Sequence, residues 1–211
     1  MLQTHASSRT AVLHLALNPF MGTWSAMRQL AAGQHESGRY AAVGMGVIVN
    51  KHWPAANQRE LTEAVPFTFR ATTPTVFGTA SSLLQCVRRP GIERWVSELT
   101  HAVGVKRVVV HFHNGWQSGV FLPLQLAQSL QRVYVATAHG VNPILGRQPL
   151  RLALHRWMAN RLVHNGARLT SVSAANSLCL GALLRIVPEA FRVIPNGMPD
   201  TEKRGCPFLK G

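Results

Sequence analysis

Two stretches, RVVVHF at residues 107–112 and RVYVAT at residues 132–137, decide the fold. Both are short, rich in β-branched residues and almost continuously apolar, which predicts strands that are buried on both faces of a sheet. The runs AVLHLAL at residues 11–17 and VGMGVIV at residues 43–49 have the same character. Segments with a helical pattern lie between most of these runs. This alternation predicts the α/β class, with a doubly wound, mostly parallel sheet.

Turn and capping residues set the expected limits of the other elements. The helix after the first strand is predicted at residues 23–32, with Thr23 as its N-cap and Gly33 as its C-cap. Residues 51–63 are polar without an apolar period and are predicted to be irregular. The remaining helices are predicted at residues 79–88, 91–103, 115–131, 149–163 and 174–185, and the remaining strands at residues 65–70, 168–172 and 191–194.

The charge balance limits the possible partners and sites. The chain has 211 residues, and 22 Lys and Arg against 8 Asp and Glu give a net charge of +14, which favours anionic partners. Asp200 is the only aspartate, so a metal site built on paired aspartates is excluded and a Ser-His-Asp triad is disfavoured. Cys86, Cys179 and Cys206 are far apart, which excludes a zinc ribbon or a redox pair and suits a reducing cytosol. Nucleic acid is a disfavoured partner, because no nucleic-acid-binding signature is present.

The apolar runs are too short to span a bilayer. The first run stops at Asn18 and Pro19, and no stretch reaches roughly 18 apolar residues. We therefore expect a cytoplasmic protein. If it associates with a membrane, we expect peripheral binding at the inner face. Arg147, Arg151 and His155 recur at helical spacing. They predict either a solvated helix face or a basic face against anionic lipid.

The loop after the first strand is the first candidate site. Ligands of open α/β sheets bind outside the carboxyl ends of the strands, and a helix N-terminus attracts phosphate. Gly22 and Thr23 lie where residues 18–23 lead into the first helix. The loop lacks the glycine pattern of a dinucleotide-binding turn or a P-loop, so an ordinary strand-to-helix turn remains the alternative.

Histidines cluster at two neighbouring strand ends. His111 and His113 lie two residues apart, which places both imidazoles on one face of a strand, and His139 follows the strand at residues 132–137. Three imidazoles can bind zinc. We do not expect a metal here, because no carboxylate accompanies these histidines in the sequence. Purely structural histidines are the further alternative.

Four segments in the second half occur in a recognisable order. They are HFH at residues 111–113, YVATAHG at 134–140, LTSVS at 169–173 and VIPNGM at 193–198. Together they resemble the N-terminal, acceptor-side domain of the family 4 glycosyltransferases, retaining enzymes of the GT-B fold with two facing Rossmann-like domains. The resemblance is good over residues 105–198 and looser over residues 11–104.

The resemblance implies transfer of a sugar from a nucleotide sugar without a metal or other cofactor. It implies that His113 and His139 act at the reaction centre, where the neutral imidazole of His139 is expected to donate a hydrogen bond to a hydroxyl or phosphate oxygen. This chain departs from the family in having Gly22 alone where a Gly-Gly pair is usual, and Asn114 where a carboxylate is frequent. The residues implied to bind substrate are Gly22, Thr23, His111, Asn114, Gly140, Ser173, Asn196 and Gly197.

The resemblance also divides the chain. Residues 1–10 are a polar N-terminal segment, residues 11–198 are the Rossmann-like domain, and residues 199–211 are a short polar tail where the family has its donor-binding domain. Glu202 has no second glutamate after it to complete the family's Glu-x7-Glu motif. We therefore expect a truncated GT-B half that binds a sugar or glycolipid acceptor in polysaccharide or glycolipid biosynthesis. It is expected to be inactive or incomplete without a separate donor-binding domain.

Two other classes of function remain open. The chain is either a non-catalytic module that keeps the fold and an anionic-ligand cleft, or a basic protein that binds nucleic acid or a membrane surface. Restoration of transfer by an added donor domain separates the transferase half from the module. Binding that weakens steeply with salt identifies the basic surface.

Overall fold

The computed structural model describes residues 10–19, 21–73, 86–113, 122–140 and 146–195. Within these residues seven strands form one sheet in the order β3-β2-β1-β4-β5-β6-β7, and every neighbouring pair is parallel. This confirms the predicted fold class. The strands are β1 (Thr10–Leu17), β2 (Ala42–Asn50), β3 (Phe67–Thr73), β4 (Arg107–His113), β5 (Gln131–Ala138), β6 (Arg168–Ser171) and β7 (Phe191–Val193).

Five α-helices are found in the same part of the chain. They are α1 (Met21–Glu36), α2 (Ala55–Ala64), α3 (Arg89–Ala102), α4 (Pro149–His164) and α5 (Ala174–Leu184), with short 3-10 turns at Cys86–Arg88 and Pro188–Ala190. Thr10, the last residue of the predicted polar N-terminal segment, begins β1. Residues 1–9, the C-terminal tail of the predicted domain division and most of the helix predicted at residues 79–88 lie outside the described residues.

Helices cover both faces of the sheet, as continuously apolar parallel strands require. Leu13 and Leu15 of β1 belong to the larger core cluster, which holds buried residues of α3, α4 and α5. Ala16 belongs to the other cluster, which holds Trp24 and Met27 of α1 and residues of α2. We call these two sides the α3 face and the α1 face.

The α1 face is only partly covered by the described residues. Helices α1 and α2 pack over β1, β2 and β3. Helix α4 connects β5 to β6, α5 connects β6 to β7, and both helices lie on the α3 face. Successive right-handed crossovers that proceed in one direction across a sheet place their helices on the same face. In the described part of the chain no helix lies on the α1 face over β4, β5 and β6. Val109 and Val135 are therefore only half-buried there.

The helix predicted at residues 115–131 is wrong for its described part. Residues 122–130 are irregular, and residues 115–121 lie outside the described chain. Leu122, Leu124 and Leu126 are buried at alternate positions, which is the period of extended backbone rather than of a helix. The backbone N–H of Gln125 donates to the Glu93 carboxylate at 2.6 Å, so a contact with α3 holds the segment.

The region of α1 and α2 also differs from the sequence-based prediction. Residues 51–63, predicted to be irregular, contain most of α2, whose only fully buried side chain is Leu61. Helix α1 begins two residues before Thr23 and continues past Gly33, so neither residue caps it. Gly38, with a φ of 62°, follows the end of α1 and supplies the left-handed conformation expected of a terminating glycine.

Candidate functional site

A cleft of about 650 Å³ lies on the α1 face, between α1 and the central strands, and its histidines lie towards the carboxyl ends of those strands. Its floor is the part of the sheet that no described helix covers, and its wall is α1. Among its lining residues are Gly22, Leu30, Tyr40, His111, His113 and His139. The cleft occupies the position at which open parallel sheets bind their ligands.

Strand register brings four histidines together on the α1 face. His14 of β1 pairs with His111 of β4 across the sheet, and His113 follows two residues later on the same face. His113 pairs with Thr137 of β5, and His139 follows the end of that strand. The sequence predicted that His111, His113 and His139 would meet. His14 was missed as a member of this cluster, because it lies in the middle of an apolar strand; the parallel pairing of β1 with β4 places it there.

The imidazoles form a directed chain of hydrogen bonds. Nε2 of His14 lies 2.9 Å from the side-chain oxygen of Gln34, which only accepts, so His14 donates from Nε2 and its Nδ1 carries a lone pair. Nδ1 of His14 lies 3.0 Å from Nε2 of His113, which is therefore the donor. Nδ1 of His113 in turn accepts from Nε2 of His139 at 3.0 Å. Every N–H in the chain points towards Gln34.

The chain ends at Nδ1 of His139, which is buried and has no hydrogen-bond partner among the described residues. Since the N–H of His139 is used inside the chain, its free nitrogen is an acceptor. The resemblance led us to expect a donor at His139, whereas the hydrogen-bond chain leaves its free nitrogen as an acceptor. An unpartnered buried nitrogen beside a cleft is a point where a ligand donor is favoured.

A second branch holds His111. The hydroxyl of Thr170 donates to the carbonyl oxygen of Ala136 at 3.4 Å, and the hydroxyls of Thr137 and Thr170 lie 2.5 Å apart. In this order Thr137 donates to Thr170 and accepts from Nε2 of His111 at 2.6 Å. Nδ1 of His111 is therefore also left with a free lone pair. Neither threonine was singled out from the sequence; the i, i+2 period of β5 and β6 is the signal that places them on the α1 face.

Burial keeps the imidazoles neutral. His14 is fully buried, which lowers its pKa to about 4 although its hydrogen bond to Gln34 acts in the opposite direction. Burial, and then the charges of neighbouring histidines, hold the pKa values of His111 and His113 well below the usual range. Burial also lowers the pKa of His139. At neutral pH the site therefore presents lone pairs and N–H groups rather than positive charge.

The other implied substrate-binding residues are spread around the cleft rather than gathered in it. Gly22 lines the cleft, whereas Thr23 does not. The hydroxyl of Ser173 accepts from the backbone N–H of Asn176 and so caps α5, and this accounts for its position without a ligand. Gly140 is exposed directly after His139. Asn114, Asn196 and Gly197 lie outside the described residues.

The basic helix face expected on α4 is interrupted. His155 is buried, with 5% of its surface exposed, and burial followed by the charge of Arg151 lowers its pKa to about 4. The buried face of α4 runs through His155, Met158 and Leu162. Leu150, in the first turn of the helix, is exposed. His155 therefore cannot continue a lipid-facing row with Arg147 and Arg151.

Fold and site together define an α/β protein with a parallel sheet and a ligand cleft at its carboxyl edge. No family model and no curated protein matches the chain. Among solved structures it is similar to the glycotransferase of kitacinnamycin, with 10% identity and a TM-score of 0.45 over 92% of this chain and 53% of that one. It is also similar to LpCGTa in complex with UDP, with 17% identity and a TM-score of 0.41 over 90% and 55%.

At these identities the similarity concerns the fold alone. The chain spans about half the length of both structures. Across the described residues, no helix combines the length and the apolar character needed to cross a membrane.

Proposed function

We propose that the chain is the acceptor-binding half of a retaining, nucleotide-sugar-dependent glycosyltransferase related to family 4. The four ordered motifs support this proposal, and the first three of them lie at the carboxyl ends of β4, β5 and β6, where a ligand of such a sheet binds. A separate donor-binding domain would supply the nucleotide sugar. The observation that carries the proposal is the unpartnered Nδ1 of His139, a hydrogen-bond acceptor beside a cleft large enough for a sugar.

His113 and His139 have different roles in this proposal. His139 is the residue that contacts the acceptor sugar, because its Nδ1 accepts a hydrogen bond from a hydroxyl group of that sugar. His113 is 1% exposed, and both of its ring nitrogens are engaged with neighbouring imidazoles. It is therefore a positioning residue, which fixes the ring orientation and the tautomer of His139. His14 and Gln34 continue the same positioning chain.

The cleft walls favour an acceptor with an apolar part. Leu30 and Tyr40 lie on one side of the cleft, Val109 and Val135 form its floor, and Ile194 closes another side. Apolar walls with a few convergent polar groups are typical of sites that bind amphipathic small molecules. We therefore propose a glycolipid or another alkyl-bearing sugar as the acceptor, in keeping with glycolipid or polysaccharide assembly.

The proposal is tested with n-octyl β-glucoside, used below the concentration at which it forms micelles. Saturation-transfer NMR on the purified chain is expected to show contact with the sugar and the alkyl protons. His139→Ala should abolish the sugar signals, while His52→Ala, which changes an exposed histidine, should leave them unchanged. The absence of binding to the folded wild-type chain, or unchanged binding to folded His139→Ala, would overturn the proposal.

A further inference from the structure

Three imidazoles of the cleft floor lie close enough to share one ion. The ligand nitrogens of His14, His111 and His113 all lie within 4.8 Å of one another. The rings of His111 and His113 are stacked, with their centroids 4.2 Å apart. All three side chains project from β1 and β4, which are adjacent strands of the sheet. The set differs from the trio suggested by the sequence, because His14 takes the place of His139.

Two of these histidines already carry a lone pair on Nδ1, and that of His14 accepts from Nε2 of His113 when no ion is bound. Nδ1 of His14 and Nδ1 of His111 carry lone pairs, because each ring donates from Nε2 to a fixed oxygen. The acceptors are the side-chain oxygen of Gln34 and the hydroxyl of Thr137. Metal-binding histidines in proteins are held in this way, with the non-ligating nitrogen donating to an oxygen that sets the tautomer and the ring orientation.

We propose that His14, His111 and His113 form a binding site for one divalent transition-metal ion of the zinc class. Three neutral imidazoles suit Zn²⁺, Co²⁺ or Ni²⁺, whereas Mg²⁺ and Ca²⁺ require oxygen ligands. Three protein ligands leave a fourth tetrahedral position for water or a ligand oxygen. His111 and His113 line the cleft, so this fourth position faces it.

The ion requires the imidazoles to move by up to about 1.5 Å, because their ligand nitrogens lie as far as 4.8 Å apart without it. Zinc–nitrogen bonds of about 2.0–2.1 Å place tetrahedral ligand nitrogens about 3.3 Å apart. Nδ1 of His14 and Nε2 of His113 are 3.0 Å apart, so they separate by about 0.3 Å when an ion replaces the shared proton. His111 is only half-buried, which leaves its ring room to turn towards the ion. Burial also keeps these imidazoles neutral near pH 7, as metal ligation requires.

Metal binding also relocates one proton. The ion takes the lone pair of Nε2 of His113, so the proton leaves this nitrogen. The hydrogen bond between His113 and His139 then reverses, with Nδ1 of His113 donating to Nε2 of His139. Nδ1 of His139 takes up the displaced proton, and the net charge of the histidine chain does not change. The metal therefore converts Nδ1 of His139 from a hydrogen-bond acceptor into a donor, so a sugar hydroxyl donates to His139 in the metal-free chain only.

The test uses the full chain freed of metal with a chelator. Addition of Co²⁺ is expected to produce the visible absorption bands of a tetrahedral ion, saturating at one equivalent and displaced by Zn²⁺. Nitrogen-15 NMR of histidine is expected to show Nδ1 of His139 gaining a proton on Zn²⁺ binding. Saturation without tetrahedral bands, or no binding above that of isolated surface histidines, would overturn the proposal.

Variants separate this site from the other histidines of the chain. His14→Leu should remove the saturable equivalent. Thr137→Val is nearly isosteric and keeps all three imidazoles, but it removes the partner that orients His111 and should weaken binding about 10–100-fold. The control His101→Ala changes an exposed histidine of α3 and should bind as the wild type does. If Thr137→Val and a folded His14→Leu both bind cobalt as the wild type does, the proposed site is wrong.

Discussion

Nδ1 of His14 lies 3.0 Å from Nε2 of His113, although 99 residues separate them in the chain. The contact exists because β1 and β4 are adjacent parallel strands in a register that pairs His14 with His111. Two buried polar rings thus hydrogen-bond to each other on a face that also carries the apolar Val12 and Ala16. Buried hydrogen-bond chains of this kind fix a single arrangement of the core, and they are sensitive to the loss of any terminal partner.

Removal of Gln34 tests the end of this chain. Gln34→Leu leaves Nε2 of the fully buried His14 without its acceptor. An unsatisfied buried donor costs about 1–3 kcal/mol, and we expect the free energy of unfolding in urea to fall by this amount. The control is Gln29→Leu, at an exposed glutamine of the same helix, which should change stability by less than about 0.5 kcal/mol. Equal effects of the two substitutions would contradict the directed chain.

A second interaction holds α2 against α1. The indole N–H of Trp24, which is 5% exposed, donates to the Glu60 carboxylate at 2.7 Å, and Arg28 lies 3.5 Å from the same carboxylate. Glu60→Leu removes the acceptor of a buried indole, and we expect a loss of about 1–3 kcal/mol in urea unfolding. Glu63→Leu, at an exposed position of α2, is the matched control. A loss in the control as large as that in Glu60→Leu would show that this bond does not hold the helix.

The alternation of apolar runs and helical segments was sufficient to predict the parallel sheet, because strands buried on both faces leave a continuous signal. Helix α2 gave no such signal, since it buries only Leu61 and is held by polar contacts such as the one between Trp24 and Glu60. The segment at residues 122–130 was misassigned because its leucines suit either period over a short run. The hydrogen bond from Gln125 to Glu93 favours the extended backbone over the helix.

The candidate site could be predicted only in part. His111, His113 and His139 follow directly from the strand ends, because residues two apart share a face and neighbouring parallel strands end at one edge. His14 belongs to the site because of which strands are adjacent and the register in which they pair. Gln34 belongs to it because of the length of α1. The sequence does not encode either feature locally. Asn114, Asn196 and Gly197 stay predictions.

Replacing each of two helical glycines with alanine is expected to change the stability of the protein in opposite directions. A β-carbon added at Gly181 in α5 would lie 2.8 Å from the carbonyl oxygen of Ile186 and 3.0 Å from Cγ of Pro188, neither of which moves easily. We expect Gly181→Ala to destabilise the protein by about 1–3 kcal/mol. Gly33 lies inside α1 with nothing within 4 Å of its added β-carbon, and Gly33→Ala should stabilise by about 0.5–1 kcal/mol.

Thermal and urea unfolding of the two variants give the comparison. Both substitutions remove a glycine from the interior of a helix, so the gain in helix propensity is common to both. The difference between them isolates the close approach of the Ile186 carbonyl to α5. Stabilisation by both substitutions would contradict that close approach.

Acid should destabilise the fold through His155. Its pKa is lowered to about 4 in the folded chain, against about 6.5 in the unfolded chain. Between these two values the unfolded chain binds more protons, so stability falls as the pH falls from 6.5 towards 4 and is unaffected by His155 above that window. At about 1.4 kcal/mol for each pH unit, the loss through this residue is at most about 3–4 kcal/mol.

Urea unfolding at pH 7 and at pH 5 measures this effect. His155→Gln keeps a polar side chain that does not titrate, so its stability should fall less between the two pH values than that of the wild type. The slope will not vanish, because the buried histidines of the cleft have lowered pKa values as well. His101→Gln replaces an exposed histidine of α3 and should retain the full wild-type slope. A slope in His155→Gln as steep as that of the wild type would mean that His155 is protonated in the folded protein, and that its burial does not oppose the charge.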